Sequence, residues 1–168
     1  MMKRTRGFTL MELAIAIAIM GIIAVLILAR YREAQKNYIL SQAVQQFVGN
    51  IRQAQNMAVT GSNVPGQPQI GGYGVYIINT TSYQLFINTT SDNNGCPSGS
   101  RVLINQPINL PSGVSIDNTT TNVFFAPPRP KTCVNGNSAN SITYTLRLSS
   151  STRILTVTVD KYGKIDNP

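Results

Sequence analysis

Few residues in this chain could do chemistry. There is no histidine, and the carboxylates number six: Glu12, Glu33, Asp92, Asp117, Asp160 and Asp166. Without histidine, an imidazole metal cage and a histidine-based triad are excluded. The acids outside the N-terminal stretch form no paired motif for acid–base work. No glycine loop has the usual phosphate-binding spacing. Asp92-Asn93-Asn94-Gly95 offers oxygen ligands and a sharp turn, as calcium loops do, but lacks the rest of an EF-hand loop; a plain turn is the simpler reading. The sequence therefore predicts no enzyme, no cofactor and no metal site.

Glu12 is the residue that demands an explanation. It lies within RTRGFTLMELAIAIAIMGIIAVLILA, Arg4 to Ala29, in which Leu13 to Ala29 is an unbroken apolar run of 17 residues. Counted from Phe8 the stretch has 22 residues. That is about 33 Å of helix, against about 30 Å of bilayer hydrocarbon. A carboxylate within a membrane span is costly and is a functional residue by default. The competing reading is a shallow glutamate that snorkels to the headgroups. Lys3, Arg4 and Arg6 place the N-terminus on the cytoplasmic side, a bias that Arg30 and Arg32 soften. The apolar core is too long for an ordinary secretory signal, and Arg30-Tyr31-Arg32-Glu33 does not favour signal peptidase.

The element that carries Glu12 continues beyond the membrane. Leu40, Val44, Phe47, Val48, Ile51, Ala54 and Ala58 recur at steps of three and four, which puts one apolar stripe on one helix face. No proline interrupts residues 8–60, so one long helix is predicted, with Gly21 as its weak point. The glycine- and proline-rich GSNVPGQPQIGG (61–72) breaks it. Beyond it the period changes to two. GYGVYII (72–78) and YQLFINT (83–89) read as a hairpin. RVLINQ (101–106), VSI (114–116) and NVFFA (122–126) read as shorter strands. SITYTLRLS and RILTVTVD form the best hairpin, joined across Ser150–Thr152, and YGKI (162–165) reads as a last short strand. The segments 91–100 and 126–140 read as long loops, and they carry Cys96 and Cys133. In an exported domain such a pair reads as one disulfide; the alternative is two unpaired small residues. The fold class is α+β: a long N-terminal helix, transmembrane in its first half and amphipathic in its second, packed on a mostly antiparallel β-sheet domain.

Only 12% of the residues are charged, against about 25% in ordinary soluble domains. The net charge is +8, but from Gly61 onward seven Lys/Arg face four Asp, a net of +3. The C-terminal domain is mildly basic, without the dense footprint of a dedicated nucleic-acid binder.

KRTRGFTLMELAIAIAIMGIIAVL (residues 3–26) resembles the class III signal of type IV pilins and type II secretion pseudopilins. The resemblance implies a prepilin peptidase cut between Gly7 and Phe8 and N-methylation of Phe8. It implies that Glu12 pairs with the N-terminal amine of a neighbouring subunit and sets axial register. The layout, with its closing Tyr-Gly-Lys-Ile, is similar to the GspH/FimT branch of minor pseudopilins and minor pilins. The implied organisation is a leader at 1–7, a transmembrane and assembly helix at 8–29, its amphipathic half at 30–60, and a periplasmic or extracellular domain at 61–168. Implied partners are other pilin or pseudopilin subunits, the prepilin peptidase and an inner-membrane assembly platform. The implied location is the inner membrane, single-pass, with assembly at or near the tip of a type IV pilus or type II secretion pseudopilus. The cysteine pair and the basic domain tilt the choice toward a pilus. The alternative is a FimT-like minor pilin that binds DNA for uptake, through Arg147, Arg153, Lys161 and Lys164 near Tyr144 and Tyr162. In that alternative a C-terminal Gly-Arg-x-Arg element is expected; here Gly163-Lys164-Ile165-Asp166 stands in its place, with an acid at the second basic position.

Overall fold

The computed structural model describes residues 8–62, 65–66, 70–89, 96, 101–117, 119, 121–127, 131–138 and 141–167, with the side chains of Ala29 and Asn137 excepted. The helix α1 runs from Leu10 to Thr60, 51 residues without interruption at Gly21. It ends where glycine permits. Gly61 takes a left-handed backbone (φ 61°), and the Ser62 N–H reaches back to the Met57 carbonyl at 3.2 Å. That closing turn satisfies a carbonyl the helix would otherwise leave without a partner.

The chain divides into two compact units, residues 1–37 and 38–168. In the first, the described large apolar side chains from Phe8 to Leu28 are solvent-exposed. This stretch has the length and composition of a membrane span. In the second, the predicted stripe is buried along its whole length, with Ala43 added to it.

The second unit also holds two sheets in which all strand pairings are antiparallel. The first contains β1 (Gly72–Asn79), β2 (Ser82–Asn88), β3 (Arg101–Leu103), β4 (Ile108–Asn109), β6 (Val123–Ala126), β7 (Lys131–Val134) and β8 (Asn137–Ser138). Its order is β3-β2-β1-β6-β7-β8, with β4 also on β2. The second contains β5 (Val114–Ile116), β9 (Ser141–Leu148), β10 (Ile154–Asp160) and β11 (Ile165–Asp166), in the order β11-β10-β9-β5.

Strand alternation explains the burial. Ile142, Tyr144, Leu146 and Leu148 of β9 face inward with Leu155, Val157 and Val159 of β10, while Thr143 and Arg147 face out. In β1 and β2 the inward set is Tyr73, Val75, Ile77, Tyr83, Leu85 and Ile87. Phe47 of the helix meets both sheets. Its ring lies edge-on to Tyr83 of β2 at 5.0 Å and to Tyr144 of β9 at 5.1 Å. Such pairs add about 0.5–1.5 kcal/mol each beyond their burial.

The structure corrects several strand boundaries. RVLINQ forms a strand only to Leu103. The Asn105 side chain then takes the Leu85 N–H at 3.0 Å, and its carbonyl accepts from Gln84. A side-chain amide thus replaces the backbone ladder there. The segment 126–140 is not one loop, because β7 and β8 lie within it. They are joined by Asn135-Gly136, both at positive φ (49° and 82°), the backbone of a tight hairpin turn. The final strand begins at Ile165, not Tyr162. One oxygen of Asp160 accepts the Tyr162 and Lys164 N–H groups, both at 2.8 Å, and Gly163 has φ 81°, so 162–164 is a turn.

Three buried tyrosines make the fold sensitive to alkali. Burial pushes the phenols of Tyr73, Tyr83 and Tyr144 above the ordinary 10.0. The unfolded chain releases these protons near pH 10 while the folded chain keeps them. Stability is therefore full below about pH 10 and falls as pH rises above it, by up to about 1.4 kcal/mol per pH unit per tyrosine. Tyr144→Phe should flatten that decline, at a cost of about 1 kcal/mol at neutral pH for the lost bond to the Thr121 carbonyl. Denaturant midpoints between pH 8 and pH 11 check both.

Candidate functional site

Phe8 and Thr9 lead into the first turn of α1, which holds Glu12. Thr9 stands just before the helix, and its hydroxyl accepts the Glu12 N–H at 3.2 Å. The Thr9 carbonyl accepts the Leu13 N–H, also at 3.2 Å. Thr9-x-x-Glu12 thus has the spacing of a capping box, a signal that the reading of Glu12 as a membrane carboxylate passes over. A carboxylate in the first turn also suits the positive end of the helix dipole. Glu12 is exposed, and among the described residues no cation pairs with its carboxylate. Phe8, four residues earlier, is exposed as well. Gly7 and the leader lie outside the described residues.

The four basic residues near the C-terminus do not form one patch. Arg147 pairs opposite Ile154, and Asp160 pairs opposite Ser141. Arg147 and Arg153 therefore sit at one end of the β9–β10 hairpin, and Lys161 and Lys164 lie past the other end. The six residue steps between the ends of β10 span about 20 Å. Arg147 is held by Asp117, with Nε donating at 3.0 Å. Lys164 bonds Asp166 at 2.9 Å, and that bond and charge raise its ammonium pKa. The Lys161 ammonium lies 4.9 Å from the exposed Tyr162 ring. Tyr144 is fully buried, so it offers no face for stacking on a base. Two of the four cations thus have carboxylate partners within the chain, and the other two lie at opposite ends.

Cys96 and Cys133 are joined, with Cα atoms 5.7 Å apart across a sequence separation of 37. The bridge lies in a small second core with Phe86, Phe124 and Ala126, on the face of the first sheet opposite the helical stripe. Two glycines of β1 make room there. A Cβ on Gly74 would run into the Val123 carbonyl and lie 2.6 Å from the Phe86 ring; on Gly72 it would strike the Phe125 carbonyl and the Phe124 ring. Among the described residues no cluster of three His, Cys, Asp or Glu could hold a metal. The Asp92–Gly95 turn lies outside the described residues.

Two family models match the chain. Residues 2–28 match the prokaryotic N-terminal methylation motif, and residues 43–163 match type II transport protein GspH. Comparison with curated proteins and with solved structures found no match.

The disulfide is testable on stability. A loop of this length is expected to contribute about 2–4 kcal/mol. Replacing both cysteines, Cys96→Ser with Cys133→Ser, should lower the unfolding free energy by that amount, read from denaturant midpoints of the oxidised chain and the double variant.

Proposed function

The chain belongs to the GspH family of type II transport proteins, and on that premise we propose how it is processed and assembled. It is a pilin-like structural subunit. Prepilin peptidase cuts between Gly7 and Phe8 on the cytoplasmic side and methylates the new amine. Residues 8–29 hold the subunit in the inner membrane as a single span, with the β-rich domain on the periplasmic side. An assembly platform then draws it into the tip region of a pseudopilus, where it packs beside other pilin-like subunits. The family match favours type II secretion over the pilus to which the cysteine pair and basic domain had tilted the reading.

The observation that carries this proposal is the first helical turn. An exposed apolar helix opens on a single carboxylate, Glu12, next to Phe8. Cleavage before Phe8 creates a positive amine at a helix N-terminus, where positive charge is unfavourable. Glu12 of a neighbour supplies the compensating charge, and the pairing fixes axial register. Capture of DNA is the weaker reading, since the basic residues are divided between two ends of a hairpin and two are already paired.

Two measurements test the proposal. Intact mass of the membrane-extracted protein should show loss of Met1–Gly7 and gain of one methyl group only when the peptidase is present. An uncut chain in both strains overturns the pathway. Glu12→Gln keeps the capping-box chemistry and removes the charge. It should be cut normally yet enter the assembled fibre at a tenth of the wild-type level or less, by crosslinking. Thr9→Ala, which costs about 1 kcal/mol of capping, should enter nearly as well as wild type. Normal incorporation of Glu12→Gln would remove the register role.

A further inference from the structure

The chain carries Asn-x-Thr triplets at Asn79, Asn88 and Asn118. This is the acceptor pattern for N-linked sugars. The structure separates the three positions. Asn88 is buried in β2 and already has a partner within the chain. Asn118 lies outside the described residues. Asn79 ends β1, and Asn79, Thr80 and Thr81 are all exposed at the turn into β2. We propose that Asn79 is a glycosylation acceptor, modified on its side-chain nitrogen by a sugar activated with phosphate at its anomeric carbon.

The Asn79 carboxamide carries the argument. Its oxygen accepts the Thr81 N–H at 2.8 Å, the Thr81 hydroxyl at 3.0 Å and the Ser82 hydroxyl at 3.0 Å. Those bonds fix the flip of the amide, with Oδ1 toward the turn and Nδ2 turned from it. Among the described residues nothing accepts from Nδ2. A turn by itself asks for less. Closing it needs one acceptor oxygen, which aspartate supplies as well as asparagine, and it makes no use of the nitrogen.

The donors on Oδ1 suit the chemistry. An amide nitrogen is a poor nucleophile because resonance shares its lone pair with the carbonyl. Loss of a proton from Nδ2 moves negative charge onto Oδ1. Hydrogen-bond donors already fixed at that oxygen stabilise the charge, as an oxyanion hole does. The Thr81 hydroxyl, two residues on, is one of those donors. In the transfer, Nδ2 forms a bond to the anomeric carbon of the sugar. The bond from that carbon to the phosphate oxygen breaks, and the phosphate leaves with the electron pair. The proton given up by Nδ2 passes to a base on the transferring enzyme.

The acceptor is held in place from the side of the domain. The Thr80 carbonyl accepts the Ile116 N–H at 2.7 Å, and the Thr81 carbonyl accepts the Leu110 N–H at 2.8 Å. A transferring enzyme therefore meets a turn that is already formed, and less freedom is lost on docking. A sugar on an exposed nitrogen also displaces no core side chain. The site makes no use of the first helical turn, so it stands or falls apart from the proposed processing and assembly.

The test uses the full chain purified from the cells that make it, digested and read by mass spectrometry with fragmentation that leaves sugars attached. Asn79 should carry a saccharide and Asn88 should be bare. Asn79→Asp keeps the acceptor oxygen of the turn but lacks the nitrogen, so the sugar should be lost. Thr81→Ala should lose it too, whereas Thr81→Ser, which keeps a hydroxyl, should retain it. A bare Asn79 in the native chain overturns the proposal. So does a sugar on Asn88 in its place, or one that persists in Asn79→Asp. Thermal melting is measured alongside; if Asn79→Asp melts early, the contrast between Thr81→Ser and Thr81→Ala decides. Unmodified recombinant chain is then offered to washed membranes and to cytosol of the same cells. Transfer by membranes supports the site with a lipid-linked donor, and transfer by cytosol supports it with a soluble nucleotide sugar. Transfer by neither counts against the proposal.

Discussion

The second unit depends on one aromatic contact in three parts, Phe47 between Tyr83 and Tyr144. One helical side chain touches one ring from each sheet, so the position of the helix and the spacing of the sheets are a single problem. Each tyrosine carries a hydroxyl into the core, and each hydroxyl must find a partner there. Tyr83 accepts from the Asn50 amide at 2.7 Å, and Tyr144 donates to the Thr121 carbonyl at 3.2 Å. A rotation of the helix by one residue would break the ring contacts and strand the phenol of Tyr83 together. The stripe from Leu40 to Ala58 is therefore constrained by polar geometry as well as by apolar area.

The two faces of the first sheet solve different problems. The inner face fills the main core with Tyr73, Val75, Ile77, Leu85 and Ile87. Among the described residues no helix of this unit lies against the outer face. It makes its own cover from Phe86, Phe124 and the disulfide, which requires that the strand beneath lack side chains at Gly72 and Gly74. Glycine in a strand costs conformational entropy, and here close aromatic packing offsets that cost. Arg101, with its guanidinium 3.9 Å from the Tyr76 ring centroid, extends the same cover at its margin.

What the sequence disclosed follows from periodicity. The helix and the β9–β10 hairpin were legible because burial repeats every 3.6 or every 2 residues in Leu40–Ala58 and in Ser141–Asp160. The hairpin β7–β8 was not, since two-residue and four-residue strands show no period; the Asn135-Gly136 pair was its one local signal. The exit of Asn105 from the ladder depends on a side chain reaching Leu85 across the sheet, which no local pattern records. The division into two sheets is likewise a matter of which strand meets which. Charge patterning misled in the opposite direction. Arg147, Arg153, Lys161 and Lys164 are close in sequence, but an extended hairpin separates them into two ends.

Glu12 has a local reason to be where it is, apart from any partner. The Thr9 hydroxyl accepts the Glu12 N–H with the spacing of a capping box, and an acid in the first turn suits the dipole of a helix that is 51 residues long. The conformation of that turn is therefore set within the isolated chain. A side chain already held in a formed helix loses less freedom when a neighbour's charge arrives, so the proposed pairing need not supply the free energy of folding the turn. The capping role tolerates glutamine, whereas the pairing role does not, because only the second requires charge. A glutamate retained for capping alone would be exchangeable with glutamine; one retained for register would not.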